Sequence, residues 1–135
     1  MKENFLNRNM GSLMDRPLVI KLMILLTNLP LLLVMKKNFW IGLITFTISV
    51  IFHWYQCFSH DEGKINELCF YDVLMNLFIG SYIFFSKYTK VKPLLVYLPI
   101  LYFLCAPYSF NVPQVYPYTH SLWHLLTALI LFKLL

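Results

Sequence analysis

The chain has 135 residues, of which 59% are hydrophobic and only 13% are charged, whereas ordinary soluble domains carry about 25% charged residues. This composition excludes an ordinary soluble globular domain and indicates that lipid is the main solvent of the folded chain. The formal net charge of +5 does not indicate a nucleic-acid partner, because the basic residues lie at the ends of apolar runs, where they contact lipid head groups.

Five apolar runs follow one another along the chain. They cover residues 18–35, 39–58, 68–85, 88–108 and 116–135. A helix that crosses a bilayer needs about 20 mostly apolar residues, so each run predicts one transmembrane helix. We expect a kink at Pro30 in the first helix and at Pro99 in the fourth, because proline removes a backbone hydrogen-bond donor.

The connections between the runs are short and polar, and none could form a domain of its own. The sequence therefore predicts an all-α integral membrane protein, a single bundle of about five transmembrane helices over residues 18–135. A polar N-terminal tail over residues 1–17 precedes it. No small-residue cleavage site follows the first apolar run, so we do not expect a cleaved signal peptide.

The positions of the basic residues predict how the bundle is oriented. We call side X the side that bears the N-terminus and the 59–67 and 111–117 loops, and side Y the opposite side. Side X carries Lys2, Arg8, Arg16 and Lys64, and side Y carries Lys36, Lys37, Lys87, Lys90, Lys92 and Lys133. The positive-inside rule makes side Y cytoplasmic. The N-terminus is then lumenal or external and the C-terminus cytoplasmic, in an endomembrane (ER or Golgi) or the plasma membrane.

Three cysteines, Cys57, Cys69 and Cys105, lie near side X. In an oxidising lumen Cys57 and Cys69 could form a disulfide, and otherwise all three are thiols that behave as small apolar residues. Their spacing matches no zinc-ribbon motif.

A few polar and ionisable residues lie inside the predicted spans, where insertion costs a few kcal/mol each and a role in the bundle interior is therefore expected. They are Ser49, His53, Asp72, Asn76, His120 and His124. Within a helix, residues four apart share a face. Ser49 and His53 therefore share one face, and His120 and His124 share another.

These residues are also predicted to lie at one depth. His53 comes near the side X end of its helix, Asp72 near the side X start of the next, and His120 and His124 about 6 and 12 Å into the last helix. Three imidazoles and a carboxylate predict a catalytic Zn²⁺ with an open position. Asp72 would hold or deprotonate water or orient an imidazole, and Ser49 would donate a hydrogen bond to a developing oxyanion.

The motif Ser-x3-His, a following Asp and a final His-x3-His, here Ser49, His53, Asp72, His120 and His124, resembles the CREST superfamily of membrane hydrolases. That group includes alkaline ceramidases, PAQR receptors, Per-type GPI-lipid remodelling proteins and the myomaker branch. The resemblance implies seven helices, a zinc held by three His and cleavage of an amide or ester bond in a membrane lipid. This chain has five apolar runs, two fewer than the seven helices that the resemblance implies. Losing two crossings leaves the predicted site residues on the same side of the membrane. Asn76 could stand at the acidic position instead of Asp72.

The resulting functional hypothesis is a zinc-dependent intramembrane hydrolase that acts on a membrane lipid. One alternative is a non-enzymatic multi-pass protein for lipid binding or membrane remodelling, which would tolerate loss of the metal or of Asp72. A structural membrane protein, in which every histidine is simply hydrogen-bonded between helices, is a further alternative. Another is a membrane electron-transfer protein with haem held by His53 and a histidine of the last helix. The sequence does not indicate an oligomeric state.

Overall fold

The computed structural model describes residues 11–105 and 114–135, and every regular element in those ranges is helical. The elements are α1 (Leu18–Leu26), α2 (Leu31–Val34), α3 (Phe39–Phe58), α4 (Glu62–Ser86), α5 (Tyr88–Val91), a 3-10 helix (Lys92–Tyr97), α6 (Leu98–Cys105) and α7 (Tyr116–Leu134). They form five helical stretches, because α1–α2 and α5–α6 are each one interrupted stretch. The all-helical prediction is confirmed. Most of the predicted tail, the end of the fourth run and part of the 111–117 loop lie outside the described residues.

Both predicted irregular helices are interrupted, but only one at the expected place. The first breaks between Leu26 and Leu31, directly before and at Pro30. In the fourth stretch the irregular part is the 3-10 helix Lys92–Tyr97, ahead of Pro99. Pro99 is the second residue of α6, where its missing N–H leaves no helical hydrogen bond unmade. The break in this stretch therefore lies earlier than predicted.

The two longest helices differ in how well the sequence defines them. The bounds of α3, Phe39–Phe58, coincide with the second apolar run, and the Asn38 side chain caps it by accepting from the Ile41 N–H at 3.1 Å. Helix α4 begins at Glu62, six residues before the predicted start at residue 68. The Asp61 carboxylate accepts from the Lys64 N–H at 2.9 Å and extends the helix into polar sequence.

The stretch α1–α2 packs against both α3 and α7, while α4 packs mainly against α3 and α6 against α7. The Lys21 ammonium lies 5.2 Å from the Phe58 ring centre, and the Lys37 ammonium lies 5.0 Å from that of Phe132. The start of α1 thus meets the end of α3, and the end of α2 meets the end of α7. These contacts fit helices that alternate in direction, as the predicted topology requires.

The turn from α2 into α3 closes tightly. A Cβ atom at Gly42 would overlap the backbone of Met35, so only glycine allows this approach. The turn holds α2 against α3 and, through it, the α1–α2 break against the middle of α3.

Several polar side chains are buried beside the apolar core of the bundle, and many large apolar side chains lie outside. Asn28, His53 and Gln56 are fully buried, whereas Phe85 is 81% exposed and Val96 72% exposed. Monomeric soluble domains rarely expose so many large apolar side chains. By length and composition α3 and α4 could each cross a membrane, and the stretch Leu18–Val34 is apolar but shorter.

The cysteines show no cross-link among the described side chains. Cys57 is buried, and no disulfide joins it to Cys69. The side chain of Cys105 lies outside the described part of the chain.

Candidate metal centre

Three buried histidines converge between α3 and α7. The Nε2 atom of His53 lies 3.2 Å from Nε2 of His120 and 3.0 Å from Nε2 of His124. One nitrogen from each ring lies within 4.8 Å of the others, and all three residues are buried. The predicted convergence of His53, His120 and His124 is confirmed. It arises because His53 lies near the end of α3 and the other two lie near the start of the antiparallel α7.

The imidazole rings meet edge to face, which points their nitrogens at a common space. The planes of His53 and His120 are inclined by 64°, and those of His53 and His124 by 66°. Tyr116, one turn before His120, stacks on it with ring centres 4.9 Å apart. Phe52 packs against His53 with ring centres 4.5 Å apart. These neighbours fix the ring orientations through packing.

The hydrogen bond of His53 determines which of its nitrogens can bind a metal. Its Nδ1 lies 2.9 Å from Oε1 of Gln56. An amide oxygen only accepts, so Nδ1 carries the hydrogen and Nε2 presents a lone pair. The Gln56 amide nitrogen lies 3.5 Å from the carbonyl oxygen of Gly11, which holds the amide in this orientation.

His124 has an equivalent arrangement on its other side. Its Nδ1 lies 3.1 Å from the hydroxyl oxygen of Thr27, and that hydroxyl donates its own hydrogen to the Ile24 carbonyl at 3.0 Å. The Thr27 oxygen must therefore accept, and the donor is the Nδ1–H of His124. This leaves the Nε2 of His124, like that of His53, with a lone pair.

The Nε2 lone pairs of His53 and His124 therefore face each other across 3.0 Å. This contact is repulsive by itself and becomes favourable around a cation. Two nitrogen ligands of one tetrahedral zinc, at Zn–N distances of about 2.0 to 2.1 Å, lie about 3.3 Å apart. The two spacings to His53, 3.2 Å and 3.0 Å, are close to that value, and all three ligand atoms lie within 4.8 Å of one another. The three imidazoles could thus hold a metal ion, and such donor sets suit zinc, copper, iron and nickel.

The haem alternative does not fit this geometry. In a bis-His site the porphyrin plane stands between the two axial imidazoles. His53 lies only 3.2 Å and 3.0 Å from the histidines of α7, so a porphyrin has no room between them.

A small polar cavity adjoins His124. Its lining comprises Leu31, Thr45, Ser49, Asp72, Asn76, Trp123, His124 and Thr127, and its volume is about 20 Å³. A cavity of this size has room for about one water molecule. The structure thus brings Asp72 and Ser49, both predicted site residues, to the same cavity as a metal-ligand candidate.

Two polar side chains of this cavity, Ser49 and Asn76, already have hydrogen-bond partners. The Ser49 hydroxyl donates to the Asn28 side-chain oxygen at 2.7 Å. Ser49 would have to change partner before it could donate to an oxyanion. Asn76 lies one turn beyond Asp72 and donates to its backbone carbonyl at 2.9 Å, so both alternatives for the acidic position face the cavity.

Four residues near the histidines were missed by the sequence reasoning: Thr27, Asn28, Gln56 and Thr127. Gln56 follows His53 by three and Thr127 follows His124 by three, so helical spacing alone could have found them. The Thr127 hydroxyl is buried, and it has no hydrogen-bond partner within the described ranges. Thr27 and Asn28 lie in the break between α1 and α2, and no sequence spacing relates them to α3 or α7.

Comparisons of the chain with protein-family models, with curated proteins and with solved structures find no match. The resemblance to the CREST superfamily therefore rests on Ser49, His53, Asp72, His120 and His124 alone.

Proposed function

We propose that this chain is a zinc-dependent intramembrane hydrolase that cleaves an amide or ester bond in a membrane lipid. The observation that carries the proposal is the buried His53–His124 contact, in which two oriented nitrogen lone pairs lie 3.0 Å apart. Zinc is the metal of choice because three His ligands and an open fourth position are typical of catalytic zinc. The resemblance to membrane hydrolases supports the same reaction.

The proposal takes all five helical stretches as membrane crossings. Two observations support this: α3 and α4 are long and apolar enough to cross, and many large apolar side chains lie on the outside of the bundle. Five crossings put the chain's two ends on opposite sides, with the C-terminus cytoplasmic. Reporter tags at the N- and C-termini should therefore be accessible from opposite sides of the membrane. Tags accessible from the same side would rule out an odd number of crossings.

Each part of the site has a role in this reaction. A bound zinc would polarise the scissile carbonyl and provide hydroxide near neutral pH. Asp72, which lines the cavity beside His124, would accept the proton of the attacking water and return it to the amine or alcohol that leaves when the C–N or C–O bond breaks. Thr127, whose hydroxyl is also in the cavity lining, would hold that water in place. Gln56 and Thr27 would keep His53 and His124 in the tautomer that binds metal.

One observation favours a second candidate, a non-enzymatic membrane protein for lipid binding or remodelling. The cavity of about 20 Å³ admits a water molecule but not a lipid carbonyl with its substituents. Hydrolysis therefore requires the helices around the cavity to separate. A metal that only clamps α3 to α7 requires no such movement.

The experiment combines elemental analysis of the detergent-purified chain with release assays on ceramide and on phospholipid esters. We expect about one zinc per chain and release from one lipid class. Asp72→Asn should lower turnover by about 10² to 10⁴-fold and keep the metal. Glu67→Gln, the same chemical change at an exposed site on α4, is the matched control.

The outcomes separate the two candidates. Zinc without release from any lipid would favour the non-enzymatic protein. Full activity in Asp72→Asn would remove Asp72 from the mechanism. Absence of metal from the folded wild-type chain would refute the hydrolase, whereas the non-enzymatic protein tolerates that absence.

A further inference from the structure

A second cavity lies towards side Y, away from the histidines. It has a volume of about 590 Å³ and lies between the second half of α4, the α5–α6 stretch and the second half of α7. We call it the side Y groove, and its aliphatic and aromatic lining includes Gly80, Ile83, Leu94, Leu98, Ile130 and Leu134. Its size falls within the range of about 300 to 1,000 Å³ that is typical of small-molecule sites.

The chain around this groove is strongly basic. Lys87, Lys90 and Lys92 lie between the lining residues Phe84 and Leu94, and Lys133 directly precedes the lining residue Leu134. All six acidic residues of the chain lie at position 72 or earlier. Those outside the spans are on side X, so no Asp or Glu side chain lies at side Y beside these lysines.

We propose that the side Y groove binds one anionic phospholipid, with an acyl chain in the groove and the phosphate on Lys87, Lys90, Lys92 and Lys133. On α7 the lining runs from Leu126 to Leu134, about 12 Å at 1.5 Å per residue. That length is comparable to one leaflet of the hydrocarbon core, about 15 Å. A tail of the side Y leaflet therefore fits the groove while its phosphate remains at the lysines.

The two parts of the site contribute differently. Lipid tails are as apolar as leucine side chains, so the groove by itself selects shape and not lipid class. The lysines select the charge, since each one near an anionic surface strengthens attraction by about fivefold. A helix from a second copy fits less well, because a helix about 10 Å wide would fill 590 Å³ with only about five residues.

The test is native mass spectrometry of the full chain, purified in detergent and mixed with equal amounts of phosphatidylglycerol and phosphatidylcholine that carry identical chains. We expect one phosphatidylglycerol per chain, preferred about tenfold or more. Changing Lys87, Lys90, Lys92 and Lys133 together to Gln should abolish this preference. Lys64→Gln is the control, because Lys64 lies on side X and pairs with Glu67 at 3.0 Å.

A second variant tests the groove itself. A Cβ atom at Gly80 meets no atom within 4 Å, so Gly80→Phe can place its ring in the groove without striking the backbone. Retention of both lipids should fall severalfold, while circular dichroism shows unchanged helix content. If this variant does not fold, Gly80→Leu is the smaller replacement for the same measurement.

Three results would overturn the proposal. The first is equal retention of the two lipids by the wild type, and the second is an undiminished preference for phosphatidylglycerol in the four-Lys variant. The third is a dimer of the wild-type chain that dissociates when Gly80→Phe fills the groove, because the groove would then bind a second copy. Zinc content is measured on the same samples. Lipid selectivity can fail while zinc binding persists, or the reverse, so this inference is independent of the proposed hydrolase.

Discussion

Thr27 is expected to control metal affinity although it is not itself a ligand. Its hydroxyl accepts from Nδ1 of His124 at 3.1 Å and donates to the Ile24 carbonyl at 3.0 Å. Thr27→Val keeps the shape of the side chain and removes the hydroxyl. The Ile24 carbonyl still accepts from the Asn28 side chain at 2.9 Å, so this carbonyl at the end of α1 keeps a hydrogen bond in the variant. The variant therefore acts chiefly on His124.

Without this acceptor, the hydrogen of His124 can move to Nε2, the atom that faces His53. Metal binding would then first require the other tautomer, whose Nδ1–H keeps only the Ile24 carbonyl, already bonded to Asn28, within reach. Losing such a partner of a ligating His typically costs about 10 to 100-fold in metal affinity, or about 1.4 to 2.7 kcal/mol. Structural zinc binds with about 10 to 16 kcal/mol, so the variant should still bind zinc when zinc is in excess.

The measurement is competition with a zinc chelator, read as the chelator concentration that removes half of the metal. Thr27→Val should release zinc at a concentration about 10 to 100-fold lower than the wild type. Thr47→Val is the matched control, because Thr47 lies on the exposed face of α3. Identical midpoints for the wild type and both variants would refute the tautomer argument.

Three further predictions follow from the same structure. His124→Ala should lose the metal and any lipid release together, because two remaining ligands bind zinc poorly; metal retained on elemental analysis would exclude His124 as a ligand. Gly42→Ala should cost about 1 to 3 kcal/mol through overlap with Met35, measured as a lower melting temperature, whereas Gly80→Ala in open space should change little. Chelation of the wild type should lower the melting temperature and added zinc should restore it, since the metal would join α3 to α7; an unchanged melting temperature would mean that it does not.

How far the sequence predicts the fold depends on whether local signals decide each element. The apolar run of α3 begins directly after the capping residue Asn38, and its bounds are correct. The polar first turns of α4 were assigned to a loop because hydropathy does not register the cap at Asp61. In the fourth stretch the prolines marked an irregular helix, but its position depends on how the 3-10 segment packs.

The same distinction applies to the site. His53, His120 and His124 could be brought together from spacing and alternating helix direction, because these two rules fix their depth and their helix faces. Which nitrogen of each ring points inward could not be predicted. That depends on the partner of the opposite nitrogen, and Thr27 is 97 positions from His124 in the chain.

The break between α1 and α2 explains why a site of this kind can form in so few helices. Thr27 in this break orients His124, and its neighbour Asn28 accepts the Ser49 hydroxyl. Successive helical residues point about 100° apart, so one uninterrupted helix would not readily direct both side chains to α7 and α3. The three site histidines and their described orienting partners come from α3, α7 and the chain up to the break. Helix α4 adds Asp72, and α5–α6 contributes none of these groups. A chain with fewer helices than the CREST resemblance implies therefore retains every group that the proposed metal centre requires.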